Sequence, residues 1–477
     1  MSAALQQPPG SISRQGWQIL LISANRCVTP EPVFPLGLAH LTAALKAAGH
    51  QVEWLDLLAD EQQFELRLSK FQPNLVAISV RNVDDVLIRR QETFVGGLPQ
   101  LVQNLRRKFG CPVVLGGSGF SILPREIFEL AQPDFGIVGE GEVALAALID
   151  ALKTGSKSEA ISGLVFRRGG RVVLIERDKS LTPRWIPKAT ISRETAEYYL
   201  LHGGVLNVQT QRGCAHRCCF CTYPLIEGAR HRARVAEEVA EEFEHLERLG
   251  ARYAFIVDSV FNSSSSHLVS VCEALIRRKL KIRWGCFLRP QGIDPETMEL
   301  MARAGLSHIE FGSDSFCDQT LEQYQKDFSF DDIRRSTELA RREGIDFCHF
   351  LIAGGPGETL ETLQIGFENS KQLAGAVIMA VPGMRIYPGT PLFERAVMEG
   401  RLERGCNLLK PAYYLAQGLT IEGVLEKLNE FARRSPNWII GDFNPAYEKL
   451  VGRLRQRGVA GPLWSYFAAA QRLFPQQ

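Results

Sequence analysis

The chain has 477 residues, enough for two or three domains with apolar cores. Its 55 Lys+Arg balance 53 Asp+Glu, which excludes a global basic field of the kind that binds nucleic acid. No run of about eighteen apolar residues occurs, so no membrane span is expected, and the polar tail at 1–17 lacks the features of a secretory signal.

Residues 18–155 alternate strands and helices. ILLISA opens the series and the helix GLAHLTAALKAAGH follows. QVEWLDL, LVAISV, PVVLGGSG and FGIVGEGE are further strand-like runs, separated by helical segments and closed by the helix VALAALIDALKTG. Buried apolar strands alternating with helices predict a parallel, doubly wound α/β sheet of Rossmann-like type, with ligands at the carboxyl ends of the strands. Residues 156–198 read as a linker holding a hairpin, GLVFRRGGRVVLIER, that turns at Gly169-Gly170.

A second α/β series fills 199–400. LNVQT leads into a cysteine loop. The next helix carries an apolar stripe, with six glutamates mostly on its wet side. ARYAFIVD, IRWGCFL, HIEFGSDS, DFCHFLIAGG and AVIMAVPGMRIY are the later strands, and Asp294-Pro295 is set to cap a helix. Six strand–helix units predict a partial (β/α)6 barrel with chemistry on the loops after the strands. Residues 401–477 lack strand signals and are expected to be helical.

Eleven cysteines in a chain with no export signal point to metal binding or catalysis in a reducing cytoplasm. Four of them crowd GCAHRCCFCTYP. Cys214, Cys218 and Cys221 have C-x-x-x-C-x-x-C spacing, and three thiolates on one loop can hold three irons of a 4Fe-4S cube. The fourth iron would then be open to a ligand, as in a catalytic metal site. A structural zinc would want a fourth ligand and has no second knuckle. A redox C-x-x-C would leave Cys214 unexplained. Packing cysteines would not sit beside Arg212, His216 and Arg217. The cluster reading is preferred to all three.

The run CAHRCCFC, with Phe220 in the aromatic place, resembles the motif of the radical S-adenosylmethionine (SAM) superfamily. Over roughly residues 19–400 the chain resembles that superfamily's cobalamin-binding subgroup. The resemblance implies that Cys214, Cys218 and Cys221 ligate the cluster and that Cys219 fills a variable slot. It implies SAM contacts at Asp258 and Ser259 after the second barrel strand, where the family's usual Gly-Gly-Glu is missing. Asp258 has an alternative reading as a helix cap. Further SAM contacts are implied at Asp314 and Ser315 after the fourth strand and at Gly354 and Gly355 after the fifth, with Arg289 and Arg385 as carboxylate partners. The basic stretch Gly228 to Arg234 reads as a charged face paired with the helix glutamates, in preference to an anion contact.

For cobalamin the resemblance implies the strand-end residues Asn25, Ser79, Arg81, Gly116, Gly117, Gly139, Glu140 and Gly141. No histidine has the D-x-H-x-x-G surroundings that would supply a cobalt ligand. The implied activity is methylation of an unactivated carbon of a small-molecule or lipid-like intermediate. One SAM would methylate cobalt and a second would give a 5′-deoxyadenosyl radical, with electrons from a donor such as flavodoxin or ferredoxin. Cyclisation, rearrangement or another SAM-derived group transfer on the same architecture is the alternative, and a non-catalytic iron-sulfur or zinc sensor is the rival from another class.

Overall fold

The computed structural model describes residues 16–28, 31–178, 185–441, 449, 453–454, 456–457, 459 and 461–466. Most of the expected polar tail, and much of the end of the C-terminal region, lies outside the described residues.

The first sheet has seven strands. They are β1 (Gln18–Ser23), β2 (Gln51–Asp56), β3 (Leu75–Ser79), β4 (Val113–Gly116), β5 (Phe135–Ile137), β6 (Leu164–Arg168) and β7 (Arg171–Leu174). Their order is β2-β1-β3-β4-β5-β6-β7. The first five run parallel, as the buried apolar runs predict. The side-chain period of two explains the double winding. Ile19 and Leu21 face the helices Leu36–Ala47 and Gly141–Thr154. Leu20 and Ile22 face the opposite layer, with Val102, Leu105 and Phe128. The predicted hairpin forms, and it joins this sheet antiparallel through β5 and β6.

The second sheet is built from β8 (Leu206–Val208), β11 (Tyr253–Ile256), β12 (Arg283–Leu288), β13 (Leu306–Asp314), β14 (Asp346–Ala353), β15 (Val377–Pro382) and β18 (Trp438–Ile440). All pairs run parallel, in chain order. Two short ribbons stand beside it: β9 (Gln211–Arg212) with β10 (Arg232–Ala233), and β16 (Met384–Arg385) with β17 (Tyr413–Tyr414). The seventh barrel strand, β18, comes from the region expected to be helical. Its three residues are too short for an alternation signal. Asp294 caps its helix as predicted, accepting from the Thr297 N–H at 2.7 Å. Among the described residues no helix is long and apolar enough to cross a membrane.

The two halves share a core. Val83 and Val95, from the long loop after β3, pack in one cluster with Met384, Ile386 and Leu392 from the barrel. Phe34 and Leu36 pack with barrel residues such as Leu206 and Val208.

Candidate active site

The cysteine loop starts at Gly213, whose φ of +90° and close approach to the Arg230 carbonyl leave no room for a Cβ. The Cys214 N–H donates to the Gly228 carbonyl at 3.0 Å, and the Cys221 N–H to that of Cys218 at 3.1 Å. Burial pushes the Cys214 thiol up and the Cys221 thiol up to about 12, and neighbouring thiols of the trio add to both shifts. Groups that favour the thiolate stand close by. They are the His216 N–H, the Ser259 hydroxyl and Arg289 at Cys214, and the Tyr223 N–H and Lys326 at Cys221. Thiols that resist ionising alone, yet sit among donors and cations, suit a cationic iron-sulfur core that deprotonates them on binding. Among the described residues no three Cys, His, Asp or Glu side chains converge as ligands of a single ion.

Cys219 faces elsewhere. It is 4% exposed and packs in the core shared by the two halves. Its N–H donates to the Tyr324 carbonyl at 3.0 Å, and its carbonyl accepts from the Leu392 N–H at 2.8 Å.

The expected SAM residues divide into two groups. Ser259, Asp314 and Arg289 gather near the thiols. The Ser259 hydroxyl donates to the Gly213 carbonyl at 2.9 Å. Arg289 is bonded to Asp327, lies 5.1 Å over the Phe328 ring, and is close enough to Cys214 and Cys218 to feel their charge. Asp314, in the left-handed region at φ +61°, pairs with the buried Lys326. Ser315 is buried just beyond and accepts from the Cys317 N–H at 3.2 Å.

In Asp258, Gly354, Gly355 and Arg385 the polar groups are engaged by the fold itself. Asp258 is fully buried and accepts from the Thr210 N–H at 2.7 Å, the Thr210 hydroxyl at 2.5 Å and the Gln211 N–H at 3.2 Å. Burial raises its carboxyl to about 7 against those bonds. It fastens the segment before the cysteine loop to the end of β11, and the helix cap nearby is Ser264. The N–H groups of the glycine loop are also engaged. That of Gly354 donates to the buried Glu358, and that of Gly355 to the Tyr324 hydroxyl at 3.1 Å. A Cβ on Gly355 would lie 2.4 Å from that hydroxyl, so packing demands glycine there. Arg385 is taken by Asp84 of the first domain, with further bonds to the Ile386 and Leu408 carbonyls.

A cavity of about 310 Å³ lies between the strand ends of the first sheet and the start of the barrel. All eight residues expected at cobalamin, Asn25, Ser79, Arg81, Gly116, Gly117, Gly139, Glu140 and Gly141, line it. A Cβ on Gly116 or Gly141 would meet no protein atom nearer than 3.7 Å. Glycine at these two positions is therefore not a packing need, and it keeps the backbone bare toward a flat ligand. Among the described residues no histidine lines the cavity. These features fit a corrin lying over the strand ends.

The opposite wall was not legible in the sequence. Asn207, Gln209, Arg212, Tyr223, Glu227 and Val257 of the barrel complete the cavity. Arg212 donates to Glu142 at 2.7 Å and Glu140 at 3.2 Å, and Arg232 also bonds Glu140. The basic stretch is therefore largely structural. Arg234 pairs with Glu242 of the following helix at 2.7 Å, though both are buried, not on the wet side. The order Arg212-Gly213-Cys214 was the available signal, but spacing alone does not reveal a partner 70 residues away.

The sequence matches the Radical SAM superfamily over residues 208–365 and the B12 binding domain over residues 23–149. It is 26% identical to the tryptophan 2-C-methyltransferase of Streptomyces laurentii over 437 residues, covering 78% of this chain and 73% of that protein. The fold is similar to that of the radical SAM methyltransferase TsrM from Kitasatospora setae, solved with cobalamin and a [4Fe-4S] cluster bound. The TM-score is 0.85 at 25% identity, over 96% of this chain and 98% of that one. A second structure of TsrM, with tryptophan substrate and the SAM analogue aza-SAM, gives 0.84 over 97% and 98% of the two chains, again at 25% identity. The two matched domains call for a [4Fe-4S] cluster with SAM, and for cobalamin. With its three-cysteine loop set against a B12-type cavity, the chain belongs to the cobalamin-binding subgroup of the radical SAM superfamily.

Proposed function

We propose that this protein is a methyltransferase that uses SAM and cobalamin to methylate an unactivated carbon of a small molecule. The observation that carries the reading is adjacency. Arg212 and Tyr223 bracket the three cluster cysteines in the chain, and both line the cavity assigned to the corrin. When bound, the reduced cluster opens SAM to radical chemistry and cobalamin carries the methyl group.

The chain's own residues hold and orient these groups. Cys214, Cys218 and Cys221 ligate the cluster. Arg289 is a cation at hand for the carboxylate of SAM, and the Asp314–Lys326 pair fixes the polar wall beside it. Gly116 and Gly141 leave the cavity floor flat, while Arg212 and Arg232 clamp Glu140 and hold the two domains in register around it. A flavodoxin- or ferredoxin-type protein supplies the electron. A cytoplasmic setting suits the reading, since none of the eleven cysteines is paired in a disulfide.

The test is anaerobic reconstitution with iron, sulfide and cobalamin, followed by SAM and dithionite. The expected result is S-adenosylhomocysteine release that requires the corrinoid, together with 5′-deoxyadenosine that requires the cluster. Protein with full iron and corrinoid content that releases neither product overturns the reading.

A further inference from the structure

Along β11 to β15, fully buried residues alternate with half-buried ones. Ile256, Leu288, Ile309, Phe311 and Ala380 are buried in the core beneath the outer helices. Phe255, Phe287, Glu310, Phe350 and Met379 are the half-buried set. Successive residues of a strand face opposite sides of the sheet, so this second set faces the barrel lumen. In a filled barrel such positions are sealed by one another. Here they keep accessible surface on adjoining strands: Phe287 pairs with Glu310 in register, and Phe350 with Met379. This lumen-facing layer is largely aromatic and keeps some accessible surface. The Phe255 and Phe287 rings meet edge-on at 5.0 Å.

Glu310 is the carboxylate in this set. Its Oε1 accepts from the Trp464 indole N–H at 2.9 Å. Trp464 also packs against Cys348 and Val377 and lies 5.7 Å from the His308 ring. Among the described residues the Glu310 carboxyl makes no other hydrogen bond, although a carboxylate has about four acceptor sites. Beside it the Tyr253 hydroxyl is buried without a partner, and Gly285 leaves room for it, since a Cβ there would lie 2.1 Å away. Buried polar groups are ordinarily satisfied, so two spare groups in an apolar lumen point to a ligand.

We propose that this lumen is the substrate pocket and that it takes a planar aromatic nitrogen compound whose ring N–H donates to Glu310. The inference rests on the methyltransferase reading above. The protein's own Trp464 already makes this contact with one carboxylate oxygen, and the second oxygen is left for the substrate. A neutral ring N–H enters a phenylalanine-lined wall at far lower desolvation cost than an ammonium group. Its ring face suits Phe255 and Phe287.

The test is calorimetric titration of the cluster- and corrinoid-loaded protein with indole, 1-methylindole, indene and phenethylamine. It is run at about pH 9, above the value of about 8 to which burial raises the Glu310 carboxyl. Indole should bind about tenfold or more tightly than 1-methylindole and indene. In Glu310→Gln, whose carbonyl can keep the Trp464 bond, that preference should vanish while the cluster absorbance and circular dichroism persist. Equal binding of the three ring compounds by the unmodified protein overturns the proposal. So does a preference that survives Glu310→Gln, or tighter binding of phenethylamine than of indole. Corrinoid-dependent S-adenosylhomocysteine release by the unmodified protein, measured without any of these ligands, separates the two readings. If release is present and the preference absent, the pocket assignment alone fails. If the preference is present and release absent, the methyltransferase reading fails and the pocket stands.

Discussion

Arg385 and Asp84 stand 301 residues apart in the chain, and the guanidinium donates from Nε and Nη2 to one Asp84 carboxylate oxygen at 3.0 and 2.9 Å. Both side chains are almost fully buried, at 4% and 0% exposure. The Arg385 guanidinium also stacks on Tyr387, 4.7 Å from the ring centre. The pair joins the loop after β3 to β16, just beyond the barrel's sixth strand. A residue that sequence position suggested for SAM is thus a tie between domains.

Arg385→Met should therefore act on stability. It leaves the Asp84 carboxylate buried without its cation, which costs about 3–5 kcal/mol. Urea denaturation should show that loss, and the double variant Asp84→Leu/Arg385→Met should regain most of it. If Arg385→Met instead weakens SAM binding and leaves the denaturation midpoint unmoved, the tie has been misassigned.

The architecture could be read from the sequence because both halves repeat a simple physical pattern. Short apolar runs flanked by amphipathic helices can bury both faces of a parallel sheet and little else. The three cysteines proposed for the cluster stood out for a related reason, since their spacing is local and its chemistry narrow. The SAM contacts were harder. Asp258, Gly354 and Gly355 occupy the expected strand ends, but whether a strand-end group meets a ligand or its own fold depends on partners such as Thr210, Tyr324 and Glu358. Those partners are remote in sequence and follow no period. The same holds for β18, whose three residues form a strand only because β15 offers an edge.

The four crowded cysteines should separate cleanly on substitution. Cys219 sits in an apolar core, with backbone bonds that fix it there whatever its side chain. Cys219→Ala should retain the full iron content of the reconstituted protein and cost about 1–2 kcal/mol for the lost sulfur packing. Cys218→Ala should lose the cluster. Iron and sulfide assays with the visible absorption spectrum decide between them, and the reverse pattern would show that the ligand frame is wrong.

Gly116 tests the corrin cavity without touching the cluster. It ends β4, and a Cβ there has only the Ile137 carbonyl oxygen near, at 3.7 Å. Gly116→Leu should fold, with stability within about 1 kcal/mol of the parent, and its branched side chain should take up space in the cavity. The corrinoid bound after reconstitution should fall by about tenfold or more, with iron content unchanged. Normal corrinoid binding by this variant would mean that the ligand does not lie over the end of β4.

His349 gives the pH prediction. Its ring is fully buried, stacked 5.0 Å from Phe311, with Ser313 and Thr337 hydroxyls at 2.8 and 3.1 Å. Burial lowers its pKa from 6.5 to about 3. Between those values the unfolded chain binds a proton that the folded chain does not. The stability this histidine contributes is therefore complete above pH 6.5 and is lost as pH falls from there toward 3. A single such group tilts stability by about 1.4 kcal/mol per pH unit at most. His40 and His308 are also lowered by burial, to about 3 and about 4, so the parent protein should lose stability steeply in mild acid. In His349→Gln the amide can still meet both hydroxyls but does not titrate. The variant's denaturation free energy should approach that of the parent as pH is lowered from 6.5, and parallel curves would show that His349 does not contribute to the acid lability.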